Sequence, residues 1–339
     1  MSERSAPTDP STGSTSPGST SPGSTSPGST SPGSAPLGSA PLGSAPLTTG
    51  TTGTTGTTGT AGPDQDAPSE SRHTPPYSDI DLHRWRDYDH IWTDSLWLID
   101  SRDTSGGHEL DYHGNFVPQI ATQSILRYTK EDDVVLDLFL GSGTSAVEAQ
   151  RTNRRLIGVE LKADLVDYVR RKIDPGLVGD RIHLLQGDST SPEIVGQVRA
   201  QLSVMGAEHA QLLILHPPYH DIITFSDHPA DLSRAEDVDQ FLDQFEVAAR
   251  HGLELLEPER FAVLVIGDKY TGGELIPLSF YCLERMQRIG FRPKAIVVKN
   301  IEGNERGKGR ETNLWRYRAL RHGFYIFKHE YVMVFRKPS

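Results

Sequence analysis

The chain has 339 residues, a single cysteine and a formal net charge of −11 at pH 7. One cysteine excludes an intrachain disulfide and a multi-cysteine zinc site, so we expect a cytoplasmic protein that holds no metal. The sequence shows no secretory signal, and no stretch approaches the ~18 apolar residues of a membrane span, so no membrane association is expected.

Residues 1–80 consist of short repeats of small and polar residues. From Gly13 the unit GSTSP occurs four times, GSAPL follows three times, and TTG occurs four times from Thr48. Such a composition buries too little apolar surface to offset the entropy of ordering the chain. We therefore expect a disordered tail over residues 1–80 and one domain over residues 81–339.

After the tail, apolar runs alternate with helical patterns. Short continuous apolar runs are typical of strands buried on both faces, and the segments between them carry apolar residues at helical spacing. The alternation predicts an α/β fold with a doubly wound, mostly parallel sheet, closed at one edge by an antiparallel strand. The first predicted strand begins at Val134, and the following ones cover 156–161, 181–187, 211–216, 261–268 and 325–337. The predicted helices cover 119–128, 163–172 and about 233–256.

A loop with two glycines joins the first of these strands to a helix. It reads Asp137-Leu-Phe-Leu-Gly-Ser-Gly-Thr144, and Gly141 and Gly143 let the backbone approach a ligand at the helix N-terminus. The residues from Gly141 to Ala146 also fit the dinucleotide-binding pattern G-x-G-x-x-A. A nicotinamide or flavin enzyme, a methyltransferase and a purely structural turn therefore all stay open. Asp137 favours a cationic sulfonium over a pyrophosphate, which it would repel.

Carboxylates follow three successive predicted strands, as Asp137, Glu160 and Asp188. Ligands of open α/β sheets bind outside the carboxyl ends of the strands. Glu160 can accept hydrogen bonds from ribose hydroxyls in either nucleotide interpretation, and Asp188 can accept one from an adenine amino group. Together the three acids predict a nucleotide-like cofactor at this edge of the sheet.

The motif His216-Pro217-Pro218-Tyr219 directly follows the fourth predicted strand. Two prolines stiffen the loop and remove two amide donors, so its carbonyl groups stay available as acceptors. An exocyclic amine held by such acceptors can aim its lone pair at an electrophilic methyl group. Tyr219 offers a ring on which an extruded base can stack, worth about 1–3 kcal/mol. A stiffened loop with a core tyrosine is the alternative.

With the glycine loop, the acids and the proline motif in this order, the chain resembles the DNA methyltransferases that modify adenine at N6 or cytosine at N4. The resemblance covers roughly residues 85–337 and implies a Rossmann-like methyltransferase fold, S-adenosyl-L-methionine as cofactor and double-stranded DNA as partner. Residues 111–119 look like the family's segment that touches the cofactor's methionyl end. The residues expected at the cofactor are Asp137, Phe139, Gly141, Gly143, Thr144, Glu160, Asp188 and Asn115, and those expected at the target base are His216, Pro217, Pro218 and Tyr219.

His216 departs from the family pattern, which usually has Asp, Asn or Ser at this position. The choice between adenine and cytosine therefore stays open. A neutral imidazole can accept a hydrogen bond, and with a pKa near ~6.5 it could also take the released proton, although water would suffice. Cytosine C5 methylation needs a cysteine nucleophile, and Cys282 lies in a predicted core helix, so we exclude that chemistry.

The C-terminal part is strongly basic although the whole chain is acidic. Between Arg285 and Lys337 there are fourteen Lys and Arg residues against four Asp and Glu residues. This asymmetry is typical of a surface that contacts phosphates, with a solvated charged face as the alternative. We expect a DNA-contacting loop over about 299–321. Its predicted nucleic-acid-binding residues are Arg306, Lys308, Arg310, Arg316 and Arg318.

The sequence therefore favours a site-specific DNA methyltransferase of a restriction-modification or phage-defence system, with a cognate nuclease or specificity partner. An RNA or protein-amide methyltransferase of the same fold is the first alternative. A nucleotide-dependent oxidoreductase would leave the His216–Tyr219 motif and the basic segment unexplained. A catalytically silent nucleic-acid-binding module is a further hypothesis, against which the intact cofactor loop argues.

Overall fold

A computed structural model describes residues 74–108, 114–301 and 312–339. Most of the described strands form one eight-stranded sheet, and two more form a separate hairpin. The strands are Leu96–Trp97 (β1), Val134–Asp137 (β2), Arg155–Glu160 (β3), Ile182–Gln186 (β4), Ala210–Leu215 (β5), Leu256–Ile266 (β6), Lys269–Thr271 (β7), Glu274–Ile276 (β8), Arg292–Asn300 (β9) and His329–Arg336 (β10). The predicted tail lies almost wholly outside the described residues.

Seven described α-helices accompany the strands. They are Pro118–Tyr128 (α1), Thr144–Arg151 (α2), Ala163–Lys172 (α3), Pro192–Val204 (α4), Val238–Leu255 (α5), Leu278–Arg288 (α6) and Thr312–His322 (α7). Short 3-10 helices cover Leu82–Tyr88, Ser105–Gly107, His220–Ile222 and Leu232–Arg234. Each face of the sheet buries its own apolar cluster: α1, α2 and α3 contribute to one, and α4, α5 and α6 contribute to the other.

The strand order is β1-β9-β10-β6-β5-β2-β3-β4. The pairs from β4 to β6 are all parallel, whereas β10 is antiparallel to both of its neighbours. Parallel strands covered by helices on both faces are buried on both sides, which explains the mostly apolar sequences of β2 and β5. The predicted doubly wound, mostly parallel sheet is confirmed.

The predicted position of the antiparallel strand was wrong. β10 does not close the sheet, because it lies between β6 and β9, and β1 forms the edge beyond β9. β9 starts with the exposed, basic residues Arg292 and Lys294, which conceal its strand character in the sequence. Four consecutive residues of β10, Val332–Phe335, are buried, as expected for an interior strand.

Residues shortly before position 81 also contact the domain. The ring of Tyr77 packs edge-on against that of Phe261 at 4.8 Å. The carboxylate of Asp79 accepts a hydrogen bond from the guanidinium of Arg154 at 2.7 Å. These contacts tie residues 77–79 to β6 and to the residue before β3.

Candidate active site

The glycine loop after β2 forms the floor of a cleft. Gly141 and Gly143 both have left-handed backbone conformations, with φ of 54° and 84°. Gly143 caps α2, and a Cβ at this position would lie 2.6 Å from a methyl carbon of Val169 on α3. Gly143 therefore allows α2 to pack against α3, whereas Gly141 lines the cleft.

The structure corrects the predicted role of Asp137. Its carboxylate is almost fully buried, and it accepts hydrogen bonds from the backbone N–H of Phe139 at 2.9 Å and from the hydroxyl of Ser145. Burial raises the pKa of Asp137 to about 6. Asp137 lies behind the loop and does not line the cleft, so it holds the loop in shape instead of facing a ligand.

Glu160, at the end of β3, both lines the cleft and fixes its floor. One carboxylate oxygen accepts the N–H of Gly141 and the other accepts the N–H of Lys162, each at 2.9 Å. Burial raises the pKa of Glu160 above its ordinary value. Asp188, after β4, also lines the cleft and is held by the N–H and hydroxyl of Thr190 at 2.8 and 2.7 Å.

The cleft encloses about 840 Å³ when its opening to solvent is included. Phe139, Thr144 and Asn115 line it together with Gly141, Glu160 and Asp188, which brings six of the eight predicted cofactor residues to one place. A second pocket of about 920 Å³ adjoins it. The predicted motif forms part of the common wall, because His216, Pro217 and Pro218 line both pockets, whereas Tyr219 lines the second alone. The residues 114–116 and Phe225 complete this wall.

His216 is a neutral residue in this wall. Its ring meets those of Phe116 and Tyr219 edge to face at 5.0 and 5.7 Å. Burial lowers the pKa of His216 to about 4, with Lys299 lowering it further and Glu330 opposing. A side chain with this pKa is a weak base at neutral pH and, being neutral, can accept a hydrogen bond.

Two residues that the sequence did not indicate hold Tyr219. Its hydroxyl donates to one carboxylate oxygen of Glu330 at 2.9 Å, and the ammonium group of Lys299 donates to the other, also at 2.9 Å. Lys299 is completely buried on β9. The start of the predicted DNA-contacting loop at Lys299 was therefore wrong.

The turn after Tyr219 is also fixed from outside the motif. His220 has a left-handed conformation, with φ of 53°, which is uncommon for a residue with a side chain. One ring nitrogen lies 2.9 Å from the carbonyl of Ala235, and the other lies 2.8 Å from the ammonium of Lys269. Lys269 donates to the second nitrogen and also to the carboxylate of Asp221, so that nitrogen is the acceptor.

The basic segment is partly helical. Arg316 and Arg318 are exposed on α7, and the guanidinium of Arg318 lies 5.2 Å from the ring centroid of Trp315. Ile301 and Phe327, on either side of this segment in the chain, line the second pocket. The predicted contacts Arg306, Lys308 and Arg310 lie outside the described residues.

Within residues 74–108, 114–301 and 312–339, no helix is long and apolar enough to cross a membrane. Within the same ranges, no three His, Cys, Asp or Glu side chains are arranged to hold a metal ion.

A parallel sheet with a glycine loop after β2 and carboxylates after β3 and β4 defines a Rossmann-like methyltransferase fold. Residues 64–171 match the DNA methylase family. The matched segment contains the glycine loop and Glu160, so this part of the chain is similar to the family. The match ends before the His216–Tyr219 motif, so the assignment of the second pocket depends on the geometry.

Two curated relatives are similar over part of the chain. The type II methyltransferase M.Cfr9I of Citrobacter freundii is 30% identical over 97 residues, which cover 29% of this chain and 27% of that protein. The type II methyltransferase M2.LlaDCHI of Lactococcus lactis subsp. cremoris is 33% identical over 86 residues, which cover 25% and 30%. The chain thus spans less than a third of the length of these relatives.

Solved structures of methyltransferases also align with the chain. A TehB-like SAM-dependent methyltransferase from Corynebacterium glutamicum is 15% identical, with a TM-score of 0.39, over 75% of this chain and 95% of that chain. TrmN from Thermus thermophilus is 19% identical, with a TM-score of 0.40, over 66% of this chain and 49% of that chain.

Proposed function

We propose that the protein transfers a methyl group from S-adenosyl-L-methionine to the exocyclic amine of adenine (N6) or cytosine (N4) in double-stranded DNA. The observation that carries the proposal is the wall His216-Pro217-Pro218, which separates a cofactor cleft from a second pocket and lines both. A group bound in the second pocket therefore meets the cleft at this wall. The match of residues 64–171 to the DNA methylase family supports the same activity.

The cleft has the chemistry that this cofactor requires. Glu160 offers carboxylate oxygens for the ribose hydroxyls, and Asp188 offers an acceptor for the adenine amino group. The side chain of Phe139 and the backbone of Gly141 line the same cleft and allow close apolar and backbone contact. When bound, S-adenosyl-L-methionine supplies an electrophilic methyl group on a sulfonium.

The residues of the wall orient the amine. Pro217 and Pro218 have no N–H groups, so the loop presents carbonyl acceptors to the two hydrogens of an exocyclic amine. The neutral ring of His216 adds a further acceptor. Tyr219 stacks on the extruded base, and the methylated amine loses its proton to water, because no strong base lies in the wall. Both adenine and cytosine present such an amine.

DNA contact by the basic segment is the second part of the proposal. It uses Arg316 and Arg318 on α7 together with Arg306, Lys308 and Arg310. Exposed guanidinium groups bound to phosphates release counterions, which makes affinity fall with salt. We also propose a restriction-modification role with a cognate nuclease or specificity partner, since two relatives are named type II methyltransferases.

The double variant Arg316→Gln/Arg318→Gln is expected to bind duplex DNA at least about tenfold more weakly near 0.15 M salt. The slope of log Kd against log salt should fall by about 2, since each phosphate contact contributes about 0.9 in B-DNA. Fluorescence anisotropy over a salt series measures both quantities. Arg199→Gln/Arg250→Gln is the control, because these exposed arginines lie on α4 and α5. An unchanged slope in the α7 variant would rule out this surface.

The pH profile tests the role of His216. Because its pKa is lowered to about 4, His216 stays neutral throughout the neutral range. We expect the single-turnover rate of methyl transfer to be constant between about pH 6 and 8, whereas a base of ordinary pKa would lose activity below ~6.5. His216→Asn, which does not titrate, should give the same flat profile. A fall near pH 6.5 that disappears in this variant would restore the general-base role.

The proposed function is tested directly with purified protein, methyl-labelled S-adenosyl-L-methionine and mixed-sequence duplex DNA. Nucleoside mass spectrometry of the digested DNA should show labelled N6-methyldeoxyadenosine or N4-methyldeoxycytidine. The same incubation with RNA and with a bacterial protein extract covers the alternative acceptors. Label in RNA or protein, with none in DNA, would overturn the proposal.

A further inference from the structure

The hydroxyl of Tyr219 is tied to a charged pair from the other half of the sheet. It donates to Glu330, whose second oxygen accepts from Lys299, and both distances are 2.9 Å. Lys299 is fully buried and Glu330 is 7% exposed. Glu330 itself lines the second pocket, so this ionic pair stands at the wall where the target base would bind.

The backbone fixes this pair in place. Glu330 and Lys299 are directly opposite each other in the antiparallel ladder between β10 and β9. Cross-strand partners on one face have their side chains close together, so the ladder sets the position of the carboxylate. Glu330 is the second residue of β10, and its neighbour Tyr331 is paired with both β6 and β9. The acceptor offered to Tyr219 is therefore part of the rigid sheet.

Two further contacts limit the movement of the Tyr219 ring. A Cβ on Gly267, the residue after β6, would lie 3.1 Å from a ring carbon of Tyr219, so the backbone of Gly267 supports the ring closely. The ring of His216 meets it edge to face at 5.7 Å. The hydroxyl and one side of the ring are thus set by other elements, and His216 of the same loop also contacts the ring.

Stability alone does not explain a buried ionic pair. Removing two charges from water costs free energy that their attraction does not always recover, and apolar residues of similar volume often stabilise a protein as well or better. What the pair supplies is a strong, directional acceptor at a fixed point, since hydrogen bonds to charged groups are stronger than those between neutral groups.

We propose that Glu330, held by Lys299, is a positioning residue that sets the plane of the Tyr219 ring for stacking of the extruded base. This inference depends on the proposed function. A base stacked on a correctly oriented ring presents its amine to the wall at His216 and Pro217. A ring free to tilt still stacks but holds the amine out of line, so the loss falls on kcat and not on DNA affinity.

Tyr219→Phe is the first test, because it removes only the hydroxyl and leaves the ring and the Glu330–Lys299 pair in place. We expect kcat to fall about tenfold, the usual scale for a hydrogen bond to a charged group, with KM for DNA and cofactor within about twofold. A kcat within twofold of the wild type would overturn the inference.

Two double variants that remove the charges of both Lys299 and Glu330 separate an effect on the Tyr219 ring from an effect on folding. Lys299→Met/Glu330→Gln removes both charges and keeps a neutral oxygen that can accept from Tyr219, so its kcat should fall by less than that of Tyr219→Phe. Lys299→Met/Glu330→Leu has no acceptor and should lose as much kcat as Tyr219→Phe. Adding Tyr219→Phe to this second variant should cost nothing further. Additive losses, or equal activity of the two variants, would contradict positioning through Tyr219.

A fluorescent base reports the stacking itself. A duplex with 2-aminopurine at an adenine target, or pyrrolocytosine at a cytosine target, should be bound equally tightly by the wild type and Tyr219→Phe. The emission of this base in the complex should differ between the wild type and Tyr219→Phe, because the ring on which it stacks is free to tilt in the variant. Identical emission would overturn the inference alone. A wild-type protein that methylates no DNA would instead overturn the proposed function together with this inference.

Discussion

Tyr219→Ala is expected to reduce methyl transfer to DNA by about 100-fold, since stacking of a base on an aromatic ring contributes about 1–3 kcal/mol. The second pocket loses its predicted stacking surface, whereas the cofactor cleft, which Tyr219 does not line, is unchanged. Cofactor affinity measured by calorimetry should therefore stay within about twofold of the wild type. Single-turnover transfer of labelled methyl groups measures the loss.

A matched control for this prediction lies on α6. Tyr281 is 39% exposed and lines neither pocket, so Tyr281→Ala should leave both the transfer rate and cofactor affinity unchanged. If Tyr219→Ala transfers methyl groups as fast as Tyr281→Ala, the second pocket is not the site of the target base. Equal melting temperatures of the two variants would show that unfolding does not cause the loss.

The sequence predicts the parallel half of the sheet well for a physical reason. Strands buried on both faces are nearly continuous apolar runs, and the helices between them have one apolar face. The predicted helix 163–172 coincides with α3, in which Leu165, Val166 and Val169 are buried. In this half the local pattern and the tertiary environment agree.

The antiparallel half is less visible because its strands mix exposed and buried positions. The charges of β9 suggest a solvated loop, yet Lys299 in the same strand is fully buried against Glu330. Only the pairing of β9 with β10 places these two residues together. Strand pairing cannot be predicted from the local pattern of a single sequence. The contact of Glu330 with Tyr219 was therefore not predicted.

The site divides in the same way. Residues that follow strands, such as Glu160, Asp188 and His216, were found because the carboxyl ends of parallel strands meet at one edge. The sequence did not distinguish a carboxylate that faces the cleft from one that supports it. Asp137 is satisfied by Phe139 and Ser145 behind the loop, and this depends on the turn geometry alone.

Glu160→Gln is expected to weaken binding of S-adenosyl-L-methionine by about 10- to 100-fold, the scale for loss of hydrogen bonds to a charged group. The carboxylate accepts the N–H groups of Gly141 and Lys162 with its two oxygens, and an amide can accept only with one. The loop at Gly141 is loosened and the ribose loses an acceptor. Isothermal titration with the cofactor measures the change in Kd.

Protein stability should not fall in parallel. Burial raises the pKa of Glu160, so the folded protein holds this proton more tightly than the unfolded chain does. Ionisation of Glu160 therefore lowers the free energy of unfolding as the pH rises above 4.5, the pKa of this group in the unfolded chain. Glutamine removes that cost and offsets the lost backbone contact, so at pH 8 the melting temperature should stay within about 3 °C of the wild type.

The control for Glu160→Gln is Asp164→Asn, which removes one negative charge from an exposed position at the start of α3. This variant should keep wild-type cofactor affinity, because Asp164 does not line the cleft. Equal weakening in both variants would mean that general electrostatics, and not the hydrogen bonds of Glu160, govern binding. A large drop in melting temperature for Glu160→Gln alone would mean that the carboxylate acts mainly by stabilising the fold.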